Sequence, residues 1–188
     1  MTLSELNYFL FHLIHTDGAN HDLFLQPALF FSHYLTTLII IMLLGAAIIF
    51  RHPYHLLFLK ALVITLFASA IGNLCDDYLY LPRPFTLGIG IPLIDHDANN
   101  SFPSSHMLVI STIALSYLFS AQYKLGIALM FCALMVGWSR IYLGVHFPYD
   151  IIGAIIVALS LNMLFYYLMP VLLRLNSLRK FSFLSRIK

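Results

Sequence analysis

Charged side chains are scarce in this chain of 188 residues, where they make up 10% while hydrophobic residues make up 61%. Mean hydropathy is +0.88. A soluble domain of this length does not need so much apolar surface, so the composition excludes the ordinary soluble classes and favours a membrane protein. Length allows one domain, 1–188, because five or six helices with short loops use most of the chain.

Cysteine is nearly absent, and both cysteines, Cys75 and Cys132, stand inside apolar runs. That placement favours buried, unreactive thiols over a disulfide or a metal pair. The N-terminus also lacks a basic segment and a small-residue cleavage site, so it does not resemble a signal peptide.

Long apolar runs predict the spanning helices. Because a span needs about 20 mostly apolar residues, the candidates are roughly 28–50, 55–75, 105–121, 125–145 and 150–173. Residues 3–15 carry an apolar face on a helix that is too short to span the membrane, which predicts an interfacial helix. This helix belongs to an N-terminal segment 1–27, and Pro27 marks its junction with the first span. The sequence therefore predicts an all-α, polytopic membrane helix bundle of five or six helices, with about five transmembrane spans plus the N-terminal interfacial helix.

Charge predicts the orientation of the bundle. The segment 76–104 is rich in proline, glycine and asparagine, which predicts a long extramembrane loop. Eight of the ten basic residues fall on the side of the tail 174–188, and these are Arg51, Lys60, Lys124, Arg174, Arg179, Lys180, Arg186 and Lys188. The positive-inside rule places this basic tail in the cytoplasm and the loop outside. Arg83 and Arg140 remain on the acidic outer side, where an arginine is a candidate for function.

Three short blocks on that outer side carry the chemistry: Arg83-Pro84, then Pro103-Ser104-Ser105-His106, then Ser139-Arg140 with His146 and Asp150. Arginine suits bidentate recognition of phosphate oxygens, and a histidine beside a carboxylate is held ready to attack or to exchange protons. The serines open a helix, where a serine side chain caps the first amides or those amides bind an anion. Pro148 fits the first turn of the next helix and leaves Asp150 within reach of His146. The blocks predict a phosphoryl-transfer site at a membrane surface.

A metal site is an alternative use of the same groups. His106, His146 and Asp150 match a two-histidine, one-carboxylate ligand set. The flanking arginines would repel a divalent ion, and they already supply the charge that a metal would bring to phosphate. We therefore predict neither a metal nor another cofactor.

The blocks resemble the three-part signature of the type 2 phosphatidic acid phosphatase superfamily, which is Lys-x6-Arg-Pro, Pro-Ser-Gly-His and Ser-Arg-x5-His-x3-Asp. The third block matches completely. Two positions differ, because Ser105 stands where glycine is usual and Asp76 stands where the first block has lysine. The wider stretch is most similar to the bacterial undecaprenyl-diphosphate phosphatases of this superfamily.

The resemblance implies that His146 attacks the terminal phosphorus and forms a phosphohistidine, that Asp150 orients His146, and that His106 protonates the leaving oxygen and then activates water. The implied phosphate-binding residues are Arg83, Ser104, Ser105 and Arg140. The implied substrate is a polyprenyl diphosphate lipid, undecaprenyl diphosphate, hydrolysed on the outer face of a bacterial inner membrane to recycle the lipid carrier of cell-wall synthesis. The lipid bilayer is a further implied partner, and no nucleic acid is expected.

Other functions remain open at this point. The enzyme alternative is a phosphatase for another membrane lipid phosphate, such as phosphatidylglycerol phosphate, phosphatidate or lipid A. The alternative from another class is a lipid binder or transporter on the same fold, although binding alone does not need an oriented nucleophile. For Asp76 and Asp77, solvated loop carboxylates are favoured over a Mg²⁺ site that would replace the missing lysine.

Overall fold

Six helices form a bundle in the part of the chain that the structure describes. The computed structural model describes residues 2–18, 22–50 and 54–184, with side chains described as far as Met169. Within these residues the helices are α1 (Leu3–Ile14), α2 (Leu25–Phe50), α3 (Tyr54–Tyr78), α4 (Ser105–Leu118), α5 (Tyr123–Tyr142) and α6 (Pro148–Leu184). A single 3₁₀ turn, Pro84–Leu87, interrupts the long connection between α3 and α4. The predicted all-α fold is confirmed.

Among the described residues, four segments are long and apolar enough to cross a membrane: α2, α3, α5 and Pro148–Met169 of α6. Helix α4 has 14 residues and is therefore about 21 Å long at 1.5 Å per residue, less than the ~30 Å hydrocarbon core. It packs against α3, α5 and α6 and buries most of its side chains. Because other helices surround it, α4 does not need the length of a lipid-exposed span.

Several helix boundaries differ from the sequence prediction, and α6 continues to Leu184, through most of the predicted tail 174–188. Helix α2 begins at Leu25, so Pro27 lies in its first turn, where a missing N–H costs little. Helix α3 continues to Tyr78, so Asp76 and Asp77 belong to its last turn and the loop begins at Leu79. Both cysteines are half-buried, less than the predicted full burial, and each is a free thiol.

A π-helical turn, Phe31–Leu35, interrupts α2. Such turns shift the face that a helix presents and often occur at functional sites. Here the turn buries the hydroxyl-bearing Ser32, which is 1% exposed, against α5, while Phe30 and Tyr34 remain exposed. A polar side chain of the first span thereby enters the interior of the bundle.

Helix α1 covers the turn between α5 and α6. Thr2 and Glu5 form a reciprocal capping box at its start, which satisfies two of its free amides. Fully buried Phe11 packs edge-on against Phe147, with ring centroids 5.3 Å apart. The opposite face leaves Leu3 and Leu13 more than two-thirds exposed, an arrangement suited to a helix at a membrane interface.

Part of the charge pattern can be placed on the bundle. Lys124 lies in the first turn of α5 and Arg140 in its last turn, so they stand at opposite ends of the bundle. Arg51, Arg186 and Lys188 lie outside the described residues, as do the side chains of Arg174, Arg179 and Lys180.

Candidate active site

Two helix N-termini meet at one end of the bundle and bring the three sequence blocks together. The amide of Ser104, at the start of α4, donates to the Asp150 carbonyl in the first turn of α6 (3.3 Å). The turn between α5 and α6 folds back so that the amides of Val145 and His146 donate to the Arg140 carbonyl. Gly144 in this turn has φ +77°, and a Cβ there would lie 2.7 Å from the Ile91 carbonyl oxygen, so the turn requires glycine.

His146 is buried and held from both sides of its ring. Its Nδ1 lies 3.4 Å from Asp150 Oδ2 and 3.3 Å from Ser101 Oγ. Its Nε2 lies 3.1 Å from Arg83 Nη1. Because a guanidinium group only donates, Nε2 accepts and carries a lone pair, while the proton resides on Nδ1. This is the tautomer that a nucleophilic Nε2 requires.

Burial lowers the pKa of His146 to about 3, and the positive charges of Arg140 and Arg83 act in the same direction. The bond to Asp150 and its charge oppose this shift but do not overcome it. The ring therefore stays neutral throughout the physiological pH range. We infer that an acid limb in a pH–rate profile above pH 5 would arise from another group or from the substrate.

Asp150 is the acceptor that organises the back of the site. Its Oδ2 accepts hydrogen bonds from Ser101 Oγ (2.5 Å) and from the Phe147 amide (2.8 Å), in addition to the longer contact with His146. Its place in the first turn of α6 also favours a negative charge. The sequence did not single out Ser101, because a serine in a loop between asparagine and phenylalanine forms no motif.

Arg83 is 4% exposed, and all three of its guanidinium nitrogens form hydrogen bonds within the protein. Its Nε donates to Asn99 Oδ1, its Nη1 to the Val145 carbonyl and its Nη2 to the Asn100 carbonyl, each at 2.9 Å. Burial lowers the pKa of Arg83, while the carboxylate of Asp150 acts in the opposite direction. These bonds fix the guanidinium beside Nε2 of the histidine.

Asp76, which stands where the family signature has lysine, supports the same loop. Its Oδ1 accepts a hydrogen bond from Asn100 Nδ2 (3.0 Å). The Asn100 side chain also accepts from the Leu81 amide (2.8 Å), and its backbone carbonyl accepts from Arg83. In this structure Asp76 therefore contacts the loop that holds Arg83.

Arg140 presents unused donors to the site. Its Nη1 donates to Ser32 Oγ (2.8 Å). Its Nε and Nη2, together with Ser104 Oγ, are buried and have no partner among the described residues. The expectation that a serine side chain caps α4 is wrong for Ser104, the N-cap residue, whose side chain makes no capping bond. Buried polar atoms without partners require an explanation, and these N–H and O–H groups are available to donate to an anion.

Ser105 and His106 complete the set of predicted residues at the start of α4. Ser105 is exposed and lines a polar cavity of about 190 Å³ beside Arg83. His106 is half-buried and lies within electrostatic reach of Arg140 and Arg83. Among the described residues, no three histidine, cysteine or carboxylate side chains are grouped as metal ligands.

Replacing Ser32 by alanine tests whether the first span positions Arg140. A hydrogen bond to a charged group contributes about 1.5–3 kcal/mol. We therefore expect Ser32→Ala to lower kcat/KM by about 10-fold or more. Most of this loss should be a higher KM for the lipid phosphate substrate. Ser160→Ala is the matched control, because Ser160 is exposed and bonds only within its own helix. Equal activity in both variants would contradict a role for Ser32.

Comparison with known proteins places this site in a family. The family model described as the PAP2 superfamily matches residues 57–174. YbjG of Escherichia coli (strain K12) is 33% identical over 161 residues, which are 84% of this chain and 79% of that protein. The chain belongs to the PAP2 superfamily.

Further relatives of this PAP2 chain agree with that placement. The undecaprenyl-diphosphatase BcrC of Bacillus subtilis (strain 168) is 30% identical, with 86% of this chain and 83% of BcrC covered. The crystal structure of Aquifex aeolicus LpxE superposes with a TM-score of 0.72 at 24% identity and covers 87% of this chain and 98% of LpxE. The fold is thus the PAP2 membrane-phosphatase fold.

Proposed function

We propose that this PAP2 protein hydrolyses the terminal phosphate of undecaprenyl diphosphate through a phosphohistidine on His146. The observation that carries the proposal is the state of that ring. It is neutral, its proton is on Nδ1, and its unprotonated Nε2 accepts a hydrogen bond from Arg83 at 3.1 Å. A site that only bound lipid phosphate would need the arginines but not this oriented nucleophile.

In the first step, His146 Nε2 attacks the terminal phosphorus, and the bond from phosphorus to the bridging oxygen breaks. His106 gives a proton to that oxygen, which leaves on the lipid monophosphate. Arg83, Arg140 and the hydroxyl of Ser104 bind the non-bridging oxygens together with the first amides of α4, including that of Ser105. Charge stabilisation of this kind is the main protein contribution to phosphoryl transfer.

In the second step, a water molecule attacks the phosphorus of the phosphohistidine. His106, now neutral, accepts a proton from the water, the P–N bond breaks, and inorganic phosphate leaves. Asp150 stabilises the positive ring of the intermediate through Nδ1 and restores the starting tautomer of His146. No redox change and no further reactant are needed.

The choice of substrate is supported by the relatives. BcrC of Bacillus subtilis is named as an undecaprenyl-diphosphatase, and the match covers most of both chains. The lipid-facing exterior of the bundle suits a substrate that stays in the bilayer, with apolar side chains such as Ile49 and Phe67 exposed. We place the protein in a bacterial inner membrane, with the site on the outer face and the basic C-terminal segment in the cytoplasm.

A side-by-side assay tests the substrate. Purified protein in detergent is given undecaprenyl diphosphate, phosphatidylglycerol phosphate or phosphatidate, and phosphate release is followed. We expect the highest kcat/KM with undecaprenyl diphosphate. A clear preference for phosphatidylglycerol phosphate or phosphatidate would instead indicate a glycerolipid phosphatase, and turnover of none of them would indicate a lipid binder.

Cysteine labelling tests the orientation. In a background without Cys75 and Cys132, a cysteine replacing the exposed Asp95 in the 79–104 loop is expected to react in intact cells with a thiol reagent that cannot cross the inner membrane. Lys124→Cys, at the other end of α5, is the matched control and is expected to react only after the membrane is broken. The reverse pattern would invert the topology and the proposed substrate pool.

A further inference from the structure

A third histidine, His96, stands beside the nucleophile and belongs to none of the three sequence blocks. Its ring lies edge-on to that of His146, with centroids 6.1 Å apart and planes at 82°. It lines the polar cavity of about 190 Å³ together with Arg83 and Ser105. A half-buried histidine whose ring is this near the ring of His146 is a candidate for contact with the substrate.

The cavity is lined by Arg83 and by one face of α3. Ser69, Asn73 and Asp76 form that face, and Asn99 adds an amide from the loop. A terminal phosphoryl group in contact with His146 Nε2 and Arg83 would stand beside this space. A second phosphoryl group, one P–O–P bridge farther on, would enter a polar cavity, whereas a monoester would place a hydrocarbon chain there.

We propose that His96 is a substrate-binding residue whose Nε2 contacts a non-bridging oxygen of the second phosphate, the one that remains on the lipid. This inference rests on the proposed diphosphate substrate and assigns the group that distinguishes a diphosphate from a monophosphate. His96 would make the site selective for a diphosphate over a monophosphate head group. The residues around the nucleophile do not provide this selectivity, because they contact only the phosphoryl group that is transferred.

The bonding of the other ring nitrogen determines how His96 can bind. Its Nδ1 lies 3.2 Å from the Asp97 carbonyl oxygen. Because a carbonyl only accepts, Nδ1 carries a proton, and the neutral ring has a bare Nε2. Two lone pairs repel, so contact between Nε2 and a phosphate oxygen requires the ring to take up a second proton. The contact is then a charge-assisted hydrogen bond.

The surroundings keep this histidine neutral until substrate arrives. Burial lowers the pKa of His96, and the charges of Arg83 and Arg140 act in the same direction. The titratable and charged groups around the ring are Arg83, Asp97, His106, Arg140 and His146, and Asp76 also lines the cavity. A bound diphosphate adds negative charge to this set and favours the imidazolium, so binding is coupled to proton uptake.

Two substitutions separate the ring nitrogens. Asparagine at position 96 keeps an amide near Nδ1 but has no atom near Nε2, whereas glutamine places an amide near Nε2. Farnesyl diphosphate and farnesyl phosphate serve as probes because they share one chain and differ by one phosphate. His12→Asn is the matched control, because His12 is an exposed histidine of α1.

We expect His96→Asn to raise KM for farnesyl diphosphate about 10-fold or more, with little change for farnesyl phosphate, and His96→Gln to recover part of the loss. In the native protein KM for the diphosphate should rise with pH more steeply than KM for the monophosphate. The difference in slope should disappear in His96→Asn. Unchanged monophosphate hydrolysis shows that the variants are folded.

Two results would overturn the inference. Equal losses on both probes would show that His96 acts through the loop, and a variant equal to the native protein on the diphosphate would show that it makes no substrate contact. If the native protein hydrolyses the monophosphate but not the diphosphate, the proposed function fails as well. These outcomes are distinguishable because only the last involves the native protein.

Discussion

His146→Ala is expected to reduce kcat for lipid diphosphate hydrolysis by several orders of magnitude, at least ~10⁴-fold, because catalytic residues that act as a unit lose most of their rate when one is removed. The unprotonated Nε2 of His146 accepts a hydrogen bond from the buried Arg83 at 3.1 Å. The measurement is phosphate release at saturating substrate, with His12→Ala as the control histidine.

A folding defect must be separated from loss of the nucleophile. His146 is buried at 1% exposure, so the alanine variant leaves a cavity and an unpaired Arg83 donor. His146→Gln retains an acceptor near Nε2 and fills more of the space, yet an amide does not form a phosphoenzyme. We expect it to be inactive but nearly as thermostable as the native protein. Substantial turnover in either variant would contradict the assignment.

Asp150→Asn is expected to lower kcat by about 10³–10⁴-fold, comparable to the loss that the same change causes in another histidine–aspartate unit. Asp150 Oδ2 accepts from Ser101, from the Phe147 amide and, at 3.4 Å, from His146. An asparagine oxygen in this position keeps the geometry but loses the charge that stabilises the phosphohistidine. An asparagine NH₂ group there would force the ring proton onto Nε2 and block attack.

The control for this variant is Asp95→Asn, which removes an exposed loop carboxylate. Substrate binding gives a second readout, because Asp150 lies behind the ring and does not contact phosphate in the proposed mechanism. KM should therefore change much less than kcat. A large rise in KM with unchanged kcat would indicate that Asp150 shapes the phosphate pocket instead.

The helices were predictable because most of them coincide with long apolar runs in the sequence. Apolar runs identified the four spanning segments of the described residues and also the shorter α4, which was predicted as a fifth span. Proline and glycine marked the connection between α3 and α4. The ends were less predictable, as at Pro27, because a proline inside the first turn and a proline before a helix look alike in sequence. The length of α4 reflects burial among other helices, which hydropathy does not report.

The residues that contact phosphate in the proposal were predictable because they form spaced motifs. The residues that hydrogen-bond to them were not predictable. Ser101 bonds Asp150, Ser32 bonds Arg140, and Asn100 links Asp76 to the loop around Arg83. These contacts join positions up to 108 residues apart. Ser32 lies in a π-helical turn that directs its side chain toward Arg140. No periodic pattern in the sequence predicts that turn.

Trapping the intermediate tests the central claim most directly. Native protein is mixed with undecaprenyl diphosphate labelled in its terminal phosphate, quenched within one turnover, and digested for peptide mapping. The account predicts an acid-labile, base-stable phosphate on His146, absent from His146→Gln and present within the first turnover. Label on His106, or release of labelled phosphate at full rate with none ever found on the protein, would contradict a covalent mechanism at His146.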